Sequence, residues 1–356
     1  MSIQIQHVFI RVSILLIVLS VSGCTSLNYY SQSIQGQFEV LQKRQNINDI
    51  LKDNNISDEL RNKLKSVLLL RDFSINELGL PKNDSYLSYA DLERDYVIWN
   101  IFANEEFSLE PVNWCYLIVG CLSYRGYFSQ SEAEQQAFEL QRKGYDIYLG
   151  GVSAYSTLGW FNDPVLNTML RWSDLRLATV MFHELAHQQL YIKNDTQFNE
   201  SYADAVAHIG VTKWLEQKQD KNLIKDYQIS QKQEKEFVAL VMHYKSILND
   251  LYQSTENEEM KRKLKKEALQ KMSDEYFEMG KIGGKKPYKK WFASKVNNAK
   301  LAAVVTYRKH VSALLEIYEK LEKDLLLFYS FSKSLSRCNP MKRKEILRNR
   351  EIEFEC

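Results

Sequence analysis

The chain has 356 residues, with 47 Lys and Arg against 45 Asp and Glu and a formal net charge of +2. That near-neutral balance gives no electrostatic basis for a nucleic-acid partner. A hydrophobic fraction of 45% supports a proper core, and 5 prolines with 13 glycines point to long helices and few irregular loops.

Residues 1–23 read as a targeting segment rather than part of the fold. Arg11 gives a basic start, and the apolar run from Val12 to Val21 is too short to span a bilayer as a stable helix. It closes in Val21-Ser22-Gly23-Cys24, which resembles a bacterial lipobox. Cleavage before Cys24 and acylation of that residue are the implied processing, with 24–35 as a lipidated tether. Thr25 rather than Asp after the cysteine fits sorting to an outer membrane. The expected location is the bacterial cell envelope, anchored by lipid and facing the periplasm. Four cysteines remain, Cys115, Cys121, Cys338 and Cys356, an even number that suits disulfides in an exported chain. Cys115 with Cys121 is the expected pair because a short loop brings them together. Cys338 with Cys356 is the leftover pairing. No C-x-x-C spacing supports zinc binding by these thiols.

Residues 36–93 read as an N-terminal helical region. Leu60, Leu64, Val67, Leu68 and Leu70 recur at helical spacing over 57–79, and Gly79-Leu80-Pro81 stops the run. A catalytic core is expected over 94–220. The pattern turns extended near Arg94, with β-forming runs at Arg94–Phe102, Trp114–Val119, Tyr124–Phe128 and Tyr145–Tyr155. Ser129 or Ser131 begins a helix that ends at Gly144. A small sheet before the next helix offers an edge strand with which a peptide backbone can pair.

That next helix carries His183-Glu184-Leu185-Ala186-His187 behind a Ser173 cap. Histidines four apart stand on one helical face and can share a metal, while Glu184 at the edge of that face can take a proton from water. A catalytic zinc takes three protein ligands, and Glu200 in Phe198-Asn-Glu-Ser is the expected third. Asp204, one turn further, is placed to accept the spare N–H of a ligand histidine. His208, another turn on, reads as a packed or solvated histidine. After it come a C-terminal helical region over 221–335, with a long charged helix over 231–271 and a loop at Gly280–Pro287, and a polar tail over 336–356.

The pattern H-E-x-x-H…N-E-x-x-x-D resembles the glutamate-zincins, the thermolysin-like and aminopeptidase-type metallopeptidases. More closely, Gly120–Phe128, Gly144–Tyr148, Gly150–Phe161, His183–Gln188, Phe198–Ser201 and a C-terminal block with Val296–Leu301 and Tyr307 resemble a bacterial family of predicted zinc aminopeptidases, often with lipoprotein signals. The resemblance implies an α+β, mainly α, zincin-like fold with a small sheet and long flanking helices. It implies Zn2+ as cofactor and peptides as substrates. Within its blocks, Tyr155 and Tyr307 are candidates to stabilise the oxyanion, with Arg125 as a candidate for a substrate carboxylate. A zinc endopeptidase or cell-wall amidase would use the same centre, and a scaffold with a structural metal is the third reading. The retained Glu184 speaks against the last.

Overall fold

The structure is a computed structural model that describes residues 28–116, 119–283, 287–352 and 354–356. Residues 1–27, with the targeting segment and Cys24, lie outside the described residues.

Helix α1 (28–42) opens the described chain, so 28–35 are helical where the sequence suggested a tether. Strand β1 (Arg44–Asn46) and a single turn, α2 (Ile47–Ile50), lead to α3 (Asp58–Asn76). Ser57 caps α3 by accepting from Leu60 N at 3.2 Å. Strands β2 (Ser88–Ala90) and β3 (Ile98–Asn104) follow, then β4 (Trp114–Tyr116), β5 (Gly120–Leu122) and β6 (Arg125–Tyr127). Disulfides join Cys115 to Cys121 across the β4–β5 pair and Cys338 to Cys356.

Helix α4 (Gln130–Arg142), capped by Ser129, precedes β7 (Asp146–Val152). The order β6-β3-β7 is antiparallel throughout, with Ile101 opposite both Arg125 and Leu149. Because side chains alternate along strands, one face sends Ile101, Ala103, Tyr127 and Ile147 against Ala133 and Ala137 of α4. The other face presents Asn100, Phe102, Tyr148 and Gly150 to a cleft.

Beneath that cleft run β8 (Val165–Leu166), the turn α5 (Asn167–Leu170), and the pair α6 (Asp174–Gln189) and α7 (Thr196–Lys218). Leu177, Val180, Met181, Phe182 and Leu185 bury the inner face of α6. Phe182 meets Phe73 of α3 with ring centroids 5.8 Å apart. The charged stretch expected as one helix is two, α8 (Lys221–Gln253) and α9 (Glu258–Gly283), broken at Ser254. With α10 (Lys289–Phe292) and α11 (Asn298–Arg308) they enclose a second core around Phe237, Tyr244, Met272 and Phe292. Helices α12 (Val311–Lys320), α13 (Leu325–Leu335) and α14 (Pro340–Asn349) close against α7.

The 336–356 stretch is therefore not simply a polar tail. Ile346 and Leu347 of α14 are buried, and Arg343, 3% exposed, bonds Asp195 at 2.8 Å. Among the described residues no helix is long and apolar enough to cross a membrane.

Candidate metal centre

The turn between α6 and α7 decides what the two helices present to each other. Asn194 takes a left-handed conformation, with φ of 67°, and Asp195 caps α7 by accepting from Phe198 N at 3.1 Å. Asn199 both accepts from Ile192 N and donates to Ile192 O, each at 2.8 Å. That double bond locks the connection, so Glu200, one residue on, turns toward the histidines of α6. Asn199 thus explains why asparagine precedes the glutamate.

Three donor atoms converge there. His183 Nε2 and His187 Nε2 are 3.1 Å apart, and Glu200 Oε2 lies 3.3 Å from the first and 3.5 Å from the second. This His183, His187, Glu200 group could hold a metal ion. His183 Nδ1 donates to Asp204 Oδ1 at 2.9 Å, which leaves its Nε2 lone pair facing the other donors. Tyr124 donates its hydroxyl to the second Glu200 oxygen at 3.1 Å. Burial works against the imidazolium of His183, but Asp204 and Glu200 outweigh it and carry its pKa up to about 10. Burial alone would raise Glu200, yet the two histidines hold it far below the usual carboxylate range. The two shifts are the two sides of one pairing between imidazole and carboxylate, with Asp204 adding to that of His183.

Glu184 is buried beside the cluster without being part of it. Burial raises its pKa, the histidines oppose the rise, and Glu200 and Asp163 add to it. A carboxylate raised in this way is a better proton acceptor than one in water.

All of this lines one cleft of about 830 Å³ between the β6-β3-β7 sheet, the 153–160 loop and helices α6, α7, α8 and α11. Tyr307 reaches the centre, its ring 6.5 Å from that of His183, and burial followed by Glu200, Glu184 and Asp204 raises its pKa. Tyr155 also lines the cleft, but its hydroxyl donates to Gln37 of α1 at 2.5 Å. Arg125 is not brought to the cleft. Its register opposite Ile101 puts it on the α4 side of the sheet, where its guanidinium lies 4.0 Å from the Tyr29 ring centroid. His208 bonds Tyr227 at 2.8 Å and stands apart from the three donors.

The sequence did not single out three other groups at the centre. Arg308 Nη1 lies 2.7 Å from Asp204 Oδ2, and its Nη2 lies 2.6 Å from Glu234 of α8. Tyr124 sits inside the Gly120–Phe128 block, the one signal available for it, whereas Arg308 lies outside the family-like blocks. Glu234, on a charged helix, carried none.

A family model described as "Putative aminopeptidase" matches residues 28–347, most of the chain. The chain belongs to that family. No curated protein and no solved structure matches it. The aminopeptidase family match spans the sheet, the α6–α7 pair and the C-terminal helices alike, so the whole cleft falls inside it.

Proposed function

We propose that the protein is a zinc-dependent peptidase of the glutamate-zincin type, acting as an aminopeptidase. The observation that carries the reading is the donor triangle. Tetrahedral zinc with bonds of about 2.0–2.1 Å requires ligand–ligand edges of about 3.3–3.4 Å. The edges here are 3.1, 3.3 and 3.5 Å. Three protein ligands with a fourth position left open are the pattern of a catalytic zinc, and the membership in an aminopeptidase family supplies the substrate class.

Zinc would be held by His183, His187 and Glu200, where it would lower the pKa of water and polarise the peptide carbonyl. Glu184 takes the proton of the attacking water and hands it to the leaving amine. Its raised pKa suits both halves of that shuttle. Tyr307, which lines the cleft beside His183, donates to the developing oxyanion. Tyr155, already bonded to Gln37, holds the cleft wall to α1.

Cys24 is the proposed lipid attachment, and the family match begins at residue 28, just after it. The enzyme would then work at the surface of a bacterial envelope membrane. The test of the metal assignment is elemental analysis of the wild type and of His187→Ala. One zinc per chain in the wild type, lost in the variant, is expected. Stoichiometric zinc surviving His187→Ala overturns the ligand set.

A further inference from the structure

Of the arginines that line the cleft, Arg308 bridges Asp204 and Glu234, and Arg171 pairs with Asp95 at 2.9 Å. Arg176 is different. It lies in the first turn of α6, is solvent-accessible, and lines the same cleft as the metal centre. Its guanidinium sits 5.2 Å from the Trp172 ring centroid. Among the described residues no carboxylate or carbonyl accepts from it. The two acidic groups on that side of the cleft, Asp204 and Glu234, are already ion-paired with Arg308. Stacking on Trp172 fixes the plane of the fork without using its N–H donors.

The helix sets the distance. Arg176 and His183 are seven residues apart, two turns, so they share one face with a rise of about 10.5 Å between them. An extended peptide advances about 3.3–3.6 Å per residue. A carbonyl placed at His183 therefore puts a carboxylate two to four residues away within reach of Arg176.

We infer that Arg176 is the carboxylate anchor of the cleft and that the substrates are short peptides bearing a carboxylate two to four residues from the bond cut. The inference rests on the peptidase reading and narrows it. The role expected for Arg125 thus falls to an arginine on the metal-bearing helix itself. The carboxylate has two possible sources, the peptide's own C-terminus or an acidic side chain. A planar fork accepts either.

The experiment uses the full chain carrying Glu184→Gln, so that no peptide is consumed. Tri- to pentapeptides are prepared in pairs, as free acids and as C-terminal amides, with and without one Glu, and their affinities measured by calorimetry. Acids are expected to bind about 10–100-fold more tightly than the matching amides. Adding Arg176→Ala should collapse that ratio to within about twofold, and Arg176→Lys should restore part of it. If Glu-bearing amides bind as tightly as acids, the side chain is the source. If neither C-terminal acids nor Glu-bearing peptides are preferred, the anchor is wrong while the peptidase reading stands. A preference unchanged by Arg176→Ala also overturns it. The acid-against-amide comparison needs no Arg176 variant, so a misfolded one does not blunt the test. Failure of any peptide to bind overturns both readings together.

Discussion

Asp204 connects the His183, His187, Glu200 group to the rest of the molecule through its two oxygens. One accepts from His183 Nδ1 at 2.9 Å, and the other lies 2.7 Å from Arg308 Nη1. Arg308 is in turn tied to Glu234. The chain His183–Asp204–Arg308–Glu234 therefore runs from α6 through α7 and α11 to α8. An amide at position 204 cannot accept from both neighbours, since its NH2 end must face one of the two donors. Asp204→Asn is expected to weaken zinc affinity by about 10–100-fold, measured by chelator competition. Unchanged affinity would leave Asp204 as a packing residue. At this scale the sequence revealed what lies at helical spacing on consecutive elements: His183, His187, Glu200, Asp204. It could not reveal Arg308 and Glu234, which reach the site from elements far along the chain. Arg125 misled because sequence identifies a residue type but not a strand face, and one position's shift along β6 exchanges cleft for core.

The α6–α7 pair is the element that must keep its geometry, and Gly210 sets how closely the helices approach. A Cβ there would lie 2.6 Å from Leu78 Cδ1 and 2.8 Å from Phe182 Cδ2. Phe182 precedes His183, so that overlap pushes directly on the ligand helix. Alanine would gain about 1 kcal/mol in helix propensity, whereas overpacking costs about 1–3 kcal/mol. Gly210→Ala is expected to lower the melting temperature and loosen zinc together. A higher melting temperature with unchanged metal affinity would show that the helices have room to part. Caps made elements legible: Ser129 and Ser173 both accept from the third residue beyond, as the sequence suggested, and Ser57 does the same before α3. The break between α8 and α9 was not legible, because charged residues continue on both sides of it. Helix α14 was hidden for a related reason. Its few apolar residues, among them Ile346 and Leu347, look sparse until Arg343 is seen buried on Asp195.

The whole molecule joins a helical frame to a small sheet across one cleft, and the family match covers that arrangement almost completely. Its long helices and small sheet were legible in composition and periodicity, and the family resemblance implied the mainly helical α+β class. The side-by-side placement of α1, α8 and α11 around the cleft did not, since such contacts leave no local pattern. The proposed anchor lies before the described residues. Mass spectrometry of the N-terminal peptide from membrane-extracted protein should find Cys24 acylated at a new amino terminus. A free Cys24 thiol, or a mature terminus elsewhere, would contradict anchoring without touching the metal centre. The central claim is hydrolysis with Glu184 as base beside a zinc it does not bind. Its most direct test is Glu184→Gln, assayed for zinc content and for peptide turnover in one preparation. The account predicts full zinc occupancy with turnover reduced by about 10³-fold or more. Zinc-loaded Glu184→Gln that cleaves peptides at near the wild-type rate would contradict it.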